Sequence, residues 1–185
     1  MAKLNNFKYK VIKNFLSEDE LKIYGAYAKS KHEDNVNSFD VLQNNNGDTA
    51  FYKDPLFNFL QSDKHKIIEE ATGIKLLYTY NFWRCYTYNA ILKKHKDRPS
   101  CELSATLFID SDGTDWPIFF DGKAIHLEKG DILIYNGCDY EHWREPFKGD
   151  YQIQLFLHFV DANGKYANLK NDPLCGKCRG DILWK

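Results

Sequence analysis

No part of the chain approaches the ~18 consecutive apolar residues of a membrane-spanning helix, and Met1-Ala2-Lys3-Leu4-Asn5-Asn6 lacks the apolar core of a secretion signal. A soluble, cytoplasmic protein is the expectation. Excess charge is missing as well. The 25 Lys and Arg meet 26 Asp and Glu, and no polybasic block marks a nucleic-acid or membrane surface. Cysteine is scarce and odd in number at 5. Cys85, Cys101 and Cys138 stand singly in strand-like segments, so buried thiols are expected rather than a disulfide framework. Cys175 and Cys178 have half the spacing of a zinc site, but no second pair completes it. What is abundant is aromatic character, 16% of 185 residues, much of it in short alternating runs that suit half-buried sheets.

Local signals divide the chain into a helical part and a strand part. A strand is expected over Phe7 to Phe15, followed by a capping box, Ser17 with Glu20, opening a helix that reaches about Lys31. Leu21, Tyr24, Tyr27 and Ala28 fall on its inner face. Asp34 to Asp48, with Asn44-Asn45-Asn46-Gly47, reads as a mobile loop. Asp54-Pro55 and Ser62-Asp63 each offer a helix start, and Gly73 offers a stop. From Ile74 the period becomes two, through Leu76, Tyr78, Tyr80, Phe82, Arg84, Tyr86 and Tyr88. Further strands are expected at Cys101 to Ile109, Ile118 to Phe120, Ala124 to Leu127, Asp131 to Tyr135 and Tyr151 to Val160. Helices followed by antiparallel strands predict an α+β domain, a sandwich or barrel buttressed by helices on one side. It is divided as helical support over about 1–73, a strand core over about 74–161 and a polar tail over 162–185.

In Lys94-His95-Lys96-Asp97 two side chains lie two positions apart, and on a strand they share a face and can share an ion. A third ligand from a distant strand would complete a two-histidine, one-carboxylate face that leaves three octahedral positions open. His142, in Glu141-His142-Trp143-Arg144-Glu145-Pro146, is the candidate. A His-x-Asp tripeptide alone is more often a solvated turn. His126 and His158 sit among apolar strand residues, where a hydrogen-bonded structural histidine is the commoner outcome; His158 is the reserve ligand. His32 and His65 read as solvated. Trp116 and Trp143 are candidates to wall the site, and Glu102 could pair with an arginine to support it.

The order Tyr86, His95, Asp97, the Lys129-Gly130-Asp131 turn before Ile132-Leu133-Ile134-Tyr135, then His142, resembles the 2-oxoglutarate- and iron(II)-dependent oxygenase superfamily. Within it, the prolyl-4-hydroxylase-like branch is the nearest match, over roughly Ile74 to Val160. Tyr86 lies nine residues before His95, as does a 2-oxoglutarate-contacting tyrosine of that branch, and Pro146 lies four after His142, as in its distal motif. The pair His-x-Asp-Arg-Pro and His-Trp-Arg-Glu is also similar to small oxygenases of phages and marine bacteria. The resemblance implies a double-stranded β-helix (jelly-roll) core, iron(II) on His95, Asp97 and His142, and 2-oxoglutarate as cosubstrate. It further implies a dioxygenase that uses O2 to hydroxylate an organic or peptidyl substrate, a peptidyl or free proline among the options.

One departure bears on the cosubstrate. The family places an Arg or Lys nine or ten residues after the distal histidine to pair with the far carboxylate of 2-oxoglutarate, and here those positions hold Tyr151 and Gln152. Arg144, two residues past His142 on one strand, is the preferred substitute; Arg98 and Arg84 are rivals. Substrate would enter over the Asp34 to Asp48 loop and the Tyr86 to Lys94 connection. Two other readings stay open: a cupin-type barrel that binds metal or a small ligand without oxygenase chemistry, and an interaction domain in which the three ligands lie apart. Oligomeric state is not readable.

Overall fold

Helix ends follow the local chemistry. In the computed structural model, which describes residues 4–35 and 48–172, α1 (Glu18–Asn35) opens on the reciprocal capping box. Glu20 N–H donates to Ser17 Oγ at 3.2 Å and Ser17 N–H to the Glu20 carboxylate at 2.8 Å. Asp54 caps α2 (Pro55–Asp63) by accepting from Leu56 N–H at 3.0 Å. The next helix, α3 (His65–Thr72), begins just after Ser62-Asp63 and ends at Gly73, whose φ of 71° is left-handed and suits glycine. The Asn-rich segment 36–47 and the Cys175 and Cys178 pair lie outside the described residues.

The ten strands are β1 (Tyr9–Ile12), β2 (Thr49–Tyr52), β3 (Leu76–Thr87), β4 (Leu92–His95), β5 (Leu103–Ser111), β6 (Ile118–Phe120), β7 (Lys123–Ile125), β8 (Ile132–Asn136), β9 (His142–Arg144) and β10 (Tyr151–Asp161). They form a six-stranded sheet in the order β1-β8-β5-β10-β3-β2 and a four-stranded sheet in the order β4-β9-β6-β7. Every strand pairing is antiparallel. This is the two-sheet jelly-roll arrangement. The first third is mainly helical, as expected, with the expected strand near its start shortened to β1; β1 and the unforeseen β2 form the two edges of the large sheet. β2 is only four residues long, too short for a periodic signal to stand out.

The large sheet has two unlike faces. Trp83, Cys85, Leu107, Ile132 and Leu155 pack with Tyr24, Ala28, Phe57, Leu60 and Ile68 of the helices into the main core. The opposite face, turned toward the small sheet, carries Tyr80, Phe82, Arg84 and Tyr86 from β3 opposite His158, Phe156, Gln154 and Gln152 from β10. The period-two run does not keep one face throughout. The register shifts between His158 and Phe159, which pair with Tyr80 and Tyr78, so Thr79 is the extra residue of a bulge and Leu76 joins the helix-side core. The barrel interior is therefore polar at positions where a purely structural sandwich would be apolar.

Candidate metal centre and the buried arginine beside it

The small sheet builds the centre. Antiparallel pairing sets His95, the last residue of β4, opposite His142, the first of β9, with ring centroids 4.3 Å apart. Asp97 lies beyond the end of β4, and its N–H donates to the Gly137 carbonyl at 2.9 Å, which turns the carboxylate back toward the histidines. Asp97 Oδ1 is 3.6 Å from His95 Nε2 and 3.5 Å from His142 Nε2. All three ligand atoms lie within 4.8 Å of one another, and the two Asp97 separations are close to the roughly 3 Å expected for neighbouring donors about 2.1 Å from one ion, so a modest contraction would close the set on a metal.

Hydrogen bonding fixes which ring nitrogens are available. His95 Nδ1–H donates to the Lys93 carbonyl at 2.7 Å and His142 Nδ1–H to the Tyr140 carbonyl at 3.2 Å. Each Nε2 then carries a lone pair toward Asp97 Oδ1, so three electron-pair donors converge on one point and are satisfied by a cation. Without a cation, burial works against charge on Asp97, but hydrogen bonds from His142 and His95 with a proton on each Nε2 outweigh it and hold the carboxyl well below the ordinary range; a metal would take the place of those protons. The residues present thus fit a divalent metal with two nitrogen ligands and one oxygen ligand.

Behind the ligands lies a second layer. Asp97 Oδ2 accepts from Ser104 Oγ at 2.6 Å, and Ser104 Oγ lies 2.9 Å from His158 Nδ1. Burial pushes His158 down to about 4; with Nδ1 on Ser104 Oγ it is a hydrogen-bonding group and is not part of the three-ligand cluster. Glu102 does not pair with an arginine, contrary to expectation; its carboxylate accepts from Asp161 N–H at 2.9 Å. His126 is not a core histidine either. Its side chain is 60% exposed beside Asp115, because β7 is an edge strand of the small sheet. His32 bonds Thr49 Oγ1 at 2.8 Å, and His65 packs edge-on against Tyr78 and Phe159; neither is simply solvated.

Two residues past His142, Arg144 points into the same interior and is only 2% exposed. Its Nη1 donates to the Trp116 carbonyl, and the guanidinium lies over the Trp116 ring at 4.8 Å. Nε and Nη2 have no partner, and among the described residues no carboxylate pairs with this arginine. Burial without a counter-ion pushes its pKa down to about 10. Tyr86 stands edge-on to Trp116 at 4.9 Å, and Phe147 closes behind at 4.8 Å. Gln152 pairs with Tyr86 across β10 and β3, its buried Oε1 unpartnered. Beside it, Gln154 Oε1 accepts from Thr106 Oγ1 at 2.9 Å, and its Nε2 is left unpartnered. A buried cation with free donors, beside unsatisfied amides, has the chemistry that suits a small anion.

The other two arginines are occupied. Arg84 pairs with Asp48, which also accepts from Thr87 N–H at 2.7 Å. Arg98 does not reach the pocket, which corrects its assignment to the cosubstrate: it pairs with Asp172 at 2.8 Å and covers the Tyr80 ring at 4.9 Å. Tyr80 is six residues from Tyr86 along β3, roughly 20 Å away. Of the two tryptophans weighed for the site, Trp116 lies against Arg144 and Tyr86, whereas Trp143 stacks on Phe119 at 5.1 Å and is partly exposed. Sequence reasoning missed Ser104, Gln154 and Gly137. The first two left a trace, polar residues at period two within the apolar strands Leu103–Ser111 and Tyr151–Asp161.

No protein-family model and no curated protein matches the sequence. Solved structures do match in three dimensions. A Pseudomonas putida prolyl-4-hydroxylase superposes with a TM-score of 0.64 at 17% identity, over 85% of this chain and 95% of that one. A viral collagen prolyl hydroxylase from Paramecium bursaria Chlorella virus-1, in a 2-oxoglutarate complex, gives 0.63 at 13% identity over 85% and 98%. A prolyl hydroxylase from Trichoplax adhaerens, in complex with a hypoxia inducible factor oxygen degradation domain peptide fragment, gives 0.68 at 16% over 90% and 88%. By fold, the chain is a jelly roll of the kind found in 2-oxoglutarate- and iron(II)-dependent oxygenases, the prolyl hydroxylases among them.

Proposed function

We propose that this protein is an iron(II)- and 2-oxoglutarate-dependent dioxygenase that hydroxylates an organic substrate. One observation carries the reading: three lone-pair donors converge at one point of a barrel that also buries an arginine with no acidic partner. A metal alone accounts for the first and leaves the second unexplained; a metal together with a dicarboxylate accounts for both.

His95 and His142 through Nε2, and Asp97 through Oδ1, would hold iron(II). Their combined charge of about −1 leaves the ion cationic enough to chelate a 2-oxo acid. Iron(II) with bound 2-oxoglutarate supplies the oxidising power that inserts one oxygen atom of O2 into a substrate C–H bond, while the cosubstrate leaves as succinate and carbon dioxide. Arg144 offers Nε and Nη2 to the far carboxylate, a charge-assisted pair in a water-poor pocket. Tyr86 lines that pocket, and Gln152 and Gln154 present amide groups along its β10 side. Trp116 and Phe147 close the back, excluding water and orienting the guanidinium. None of the three ligands is needed as an acid or a base.

A peptidyl or free proline is the substrate class to test first, supported by the likeness to the prolyl hydroxylases above. The decisive experiment is anaerobic titration of iron(II) and 2-oxoglutarate, watching for the visible charge-transfer band of bidentate chelation, with His142→Ala as control. Turnover is then followed as succinate released with proline-containing peptides or free proline. A metal that binds while no band forms would sink this reading and favour a cupin-type metal-binding barrel.

A further inference from the structure

The two oxygens of Asp97 have different surroundings. Oδ1 faces both imidazoles at 3.5 and 3.6 Å, whereas Oδ2 is turned away and held by Ser104 at 2.6 Å. A serine hydroxyl has one proton. An ionised carboxylate can only accept, so that proton lies on the short bond to Asp97, and the longer contact to the Cys101 carbonyl at 3.3 Å does not compete for it. His158 Nδ1, 2.9 Å away, must then be the N–H that donates to Ser104 Oγ. The chain of donation runs from His158 through Ser104, both buried, to Asp97 Oδ2, whose side chain is 10% exposed.

Backbone geometry closes the same clamp. A Cβ at Gly137 would stand 2.1 Å from Asp97 Oδ2, 2.8 Å from Cγ and 2.9 Å from Cβ. Gly137 is not among the positive-φ residues, so the glycine is required for close approach and not for an unusual backbone angle. Its carbonyl accepts the Asp97 N–H at 2.9 Å. The carboxylate is thus pinned at its backbone and at Oδ2, and only Oδ1 is presented to the ion.

We infer that Ser104, oriented by His158, is a positioning residue that keeps Asp97 a one-oxygen ligand. This rests on the iron and 2-oxoglutarate reading above. The consequence is a matter of coordination count. Two imidazoles and one carboxylate oxygen leave three of six positions open, two for the 2-oxo acid and one for O2. A carboxylate free to turn about Cβ–Cγ brings Oδ2 to the same ion and takes a fourth position, so the chelating cosubstrate and O2 no longer both fit. Ser104 therefore governs cosubstrate chelation far more than metal capture, a split that a merely structural residue does not produce.

The test compares Ser104→Thr with Ser104→Val, side chains of equal shape that differ in the hydroxyl alone, with Ser104→Ala as a third variant free of the added methyl. Cobalt(II) affinity is read from its visible d–d bands, and 2-oxoglutarate affinity from the anaerobic iron(II) charge-transfer band. Expected: Ser104→Thr matches wild type in both. Ser104→Val and Ser104→Ala keep cobalt affinity within about threefold but lose 2-oxoglutarate affinity by roughly 10- to 100-fold, the size typical of residues that orient a ligand. Their cobalt bands should also shift as the coordination number rises. The inference is overturned if Val and Ala variants equal the Thr variant in both titrations, or if they lose cobalt as completely as His142→Ala does. Failure of the underlying reading looks different: wild-type protein itself then binds metal and gives no band with 2-oxoglutarate.

Discussion

Replacing Arg144 with methionine should move two measurements in opposite directions. The side chain keeps its approximate length and loses its charge. In the protein without cosubstrate, the guanidinium is 2% exposed, bonded through Nη1 to the Trp116 carbonyl and unpartnered at Nε and Nη2. Its fall from the ordinary guanidinium range to about 10 corresponds to roughly 3 kcal/mol of unfavourable burial. Methionine removes that cost and forfeits one carbonyl hydrogen bond and a cation–π contact, together about 2 kcal/mol. The cosubstrate-free protein should therefore be unchanged or more stable by about 1 kcal/mol in urea unfolding. Cosubstrate binding should collapse, because a far carboxylate left in this pocket without its cation costs roughly 3–5 kcal/mol, or two to four orders of magnitude in Kd. Calorimetric or charge-transfer titration with 2-oxoglutarate and iron(II) reads the second effect. Unchanged cosubstrate affinity, or a loss of several kcal/mol in stability, would refute the assignment, since either shows that this charge is satisfied by the protein itself.

Other outcomes follow from individual contacts. Gly137→Ala should abolish cobalt(II) binding in titration while circular dichroism stays native, since the new Cβ meets Asp97 Oδ2 at 2.1 Å; retained affinity would show that Asp97 is not the ligand. Arg98→Ala should change 2-oxoglutarate affinity less than about twofold, because Arg98 is held by Asp172 and lies over the Tyr80 ring, away from Arg144. Asp54, whose side chain is 0% exposed, receives Lys31 at 2.6 Å, Trp83 Nε1 at 3.1 Å and Tyr27 OH at 3.0 Å. Asp54→Asn should cost about 3–5 kcal/mol in chemical denaturation by leaving Lys31 without its partner. Burial pushes the Asp54 carboxyl up, but Lys31, Trp83 and Tyr27 outweigh it and leave the folded value below the ordinary 3.8. The stabilisation is then complete above pH 3.8 and is lost as pH falls through the depressed value; acid unfolding of Asp54→Asn should lack that component.

The sequence by itself determined what depends on neighbours in the chain. Ser17 and Glu20 cap α1 because three residues span one turn of helix. Gly73 ends α3 because a left-handed φ costs it nothing. The alternation through Tyr80, Phe82, Arg84 and Tyr86 describes a strand with two unlike faces, and His-x-Asp with a distant histidine points to metal ligation through the family resemblance, not through its spacing alone. Tertiary structure alone decided the rest. Which arginine faces the anion pocket depends on where each strand runs: Arg144 is inside because His142 is, Arg98 is drawn off by Asp172, and Arg84 is neutralised by Asp48. Asp97 reaches the histidines through a bond to Gly137 and a hydroxyl from Ser104, residues 40 and 7 positions away. Short-range periodicity encodes which face a side chain takes, but pairing between distant strands sets which groups share that face, and that pairing is a property of the whole packed sheet.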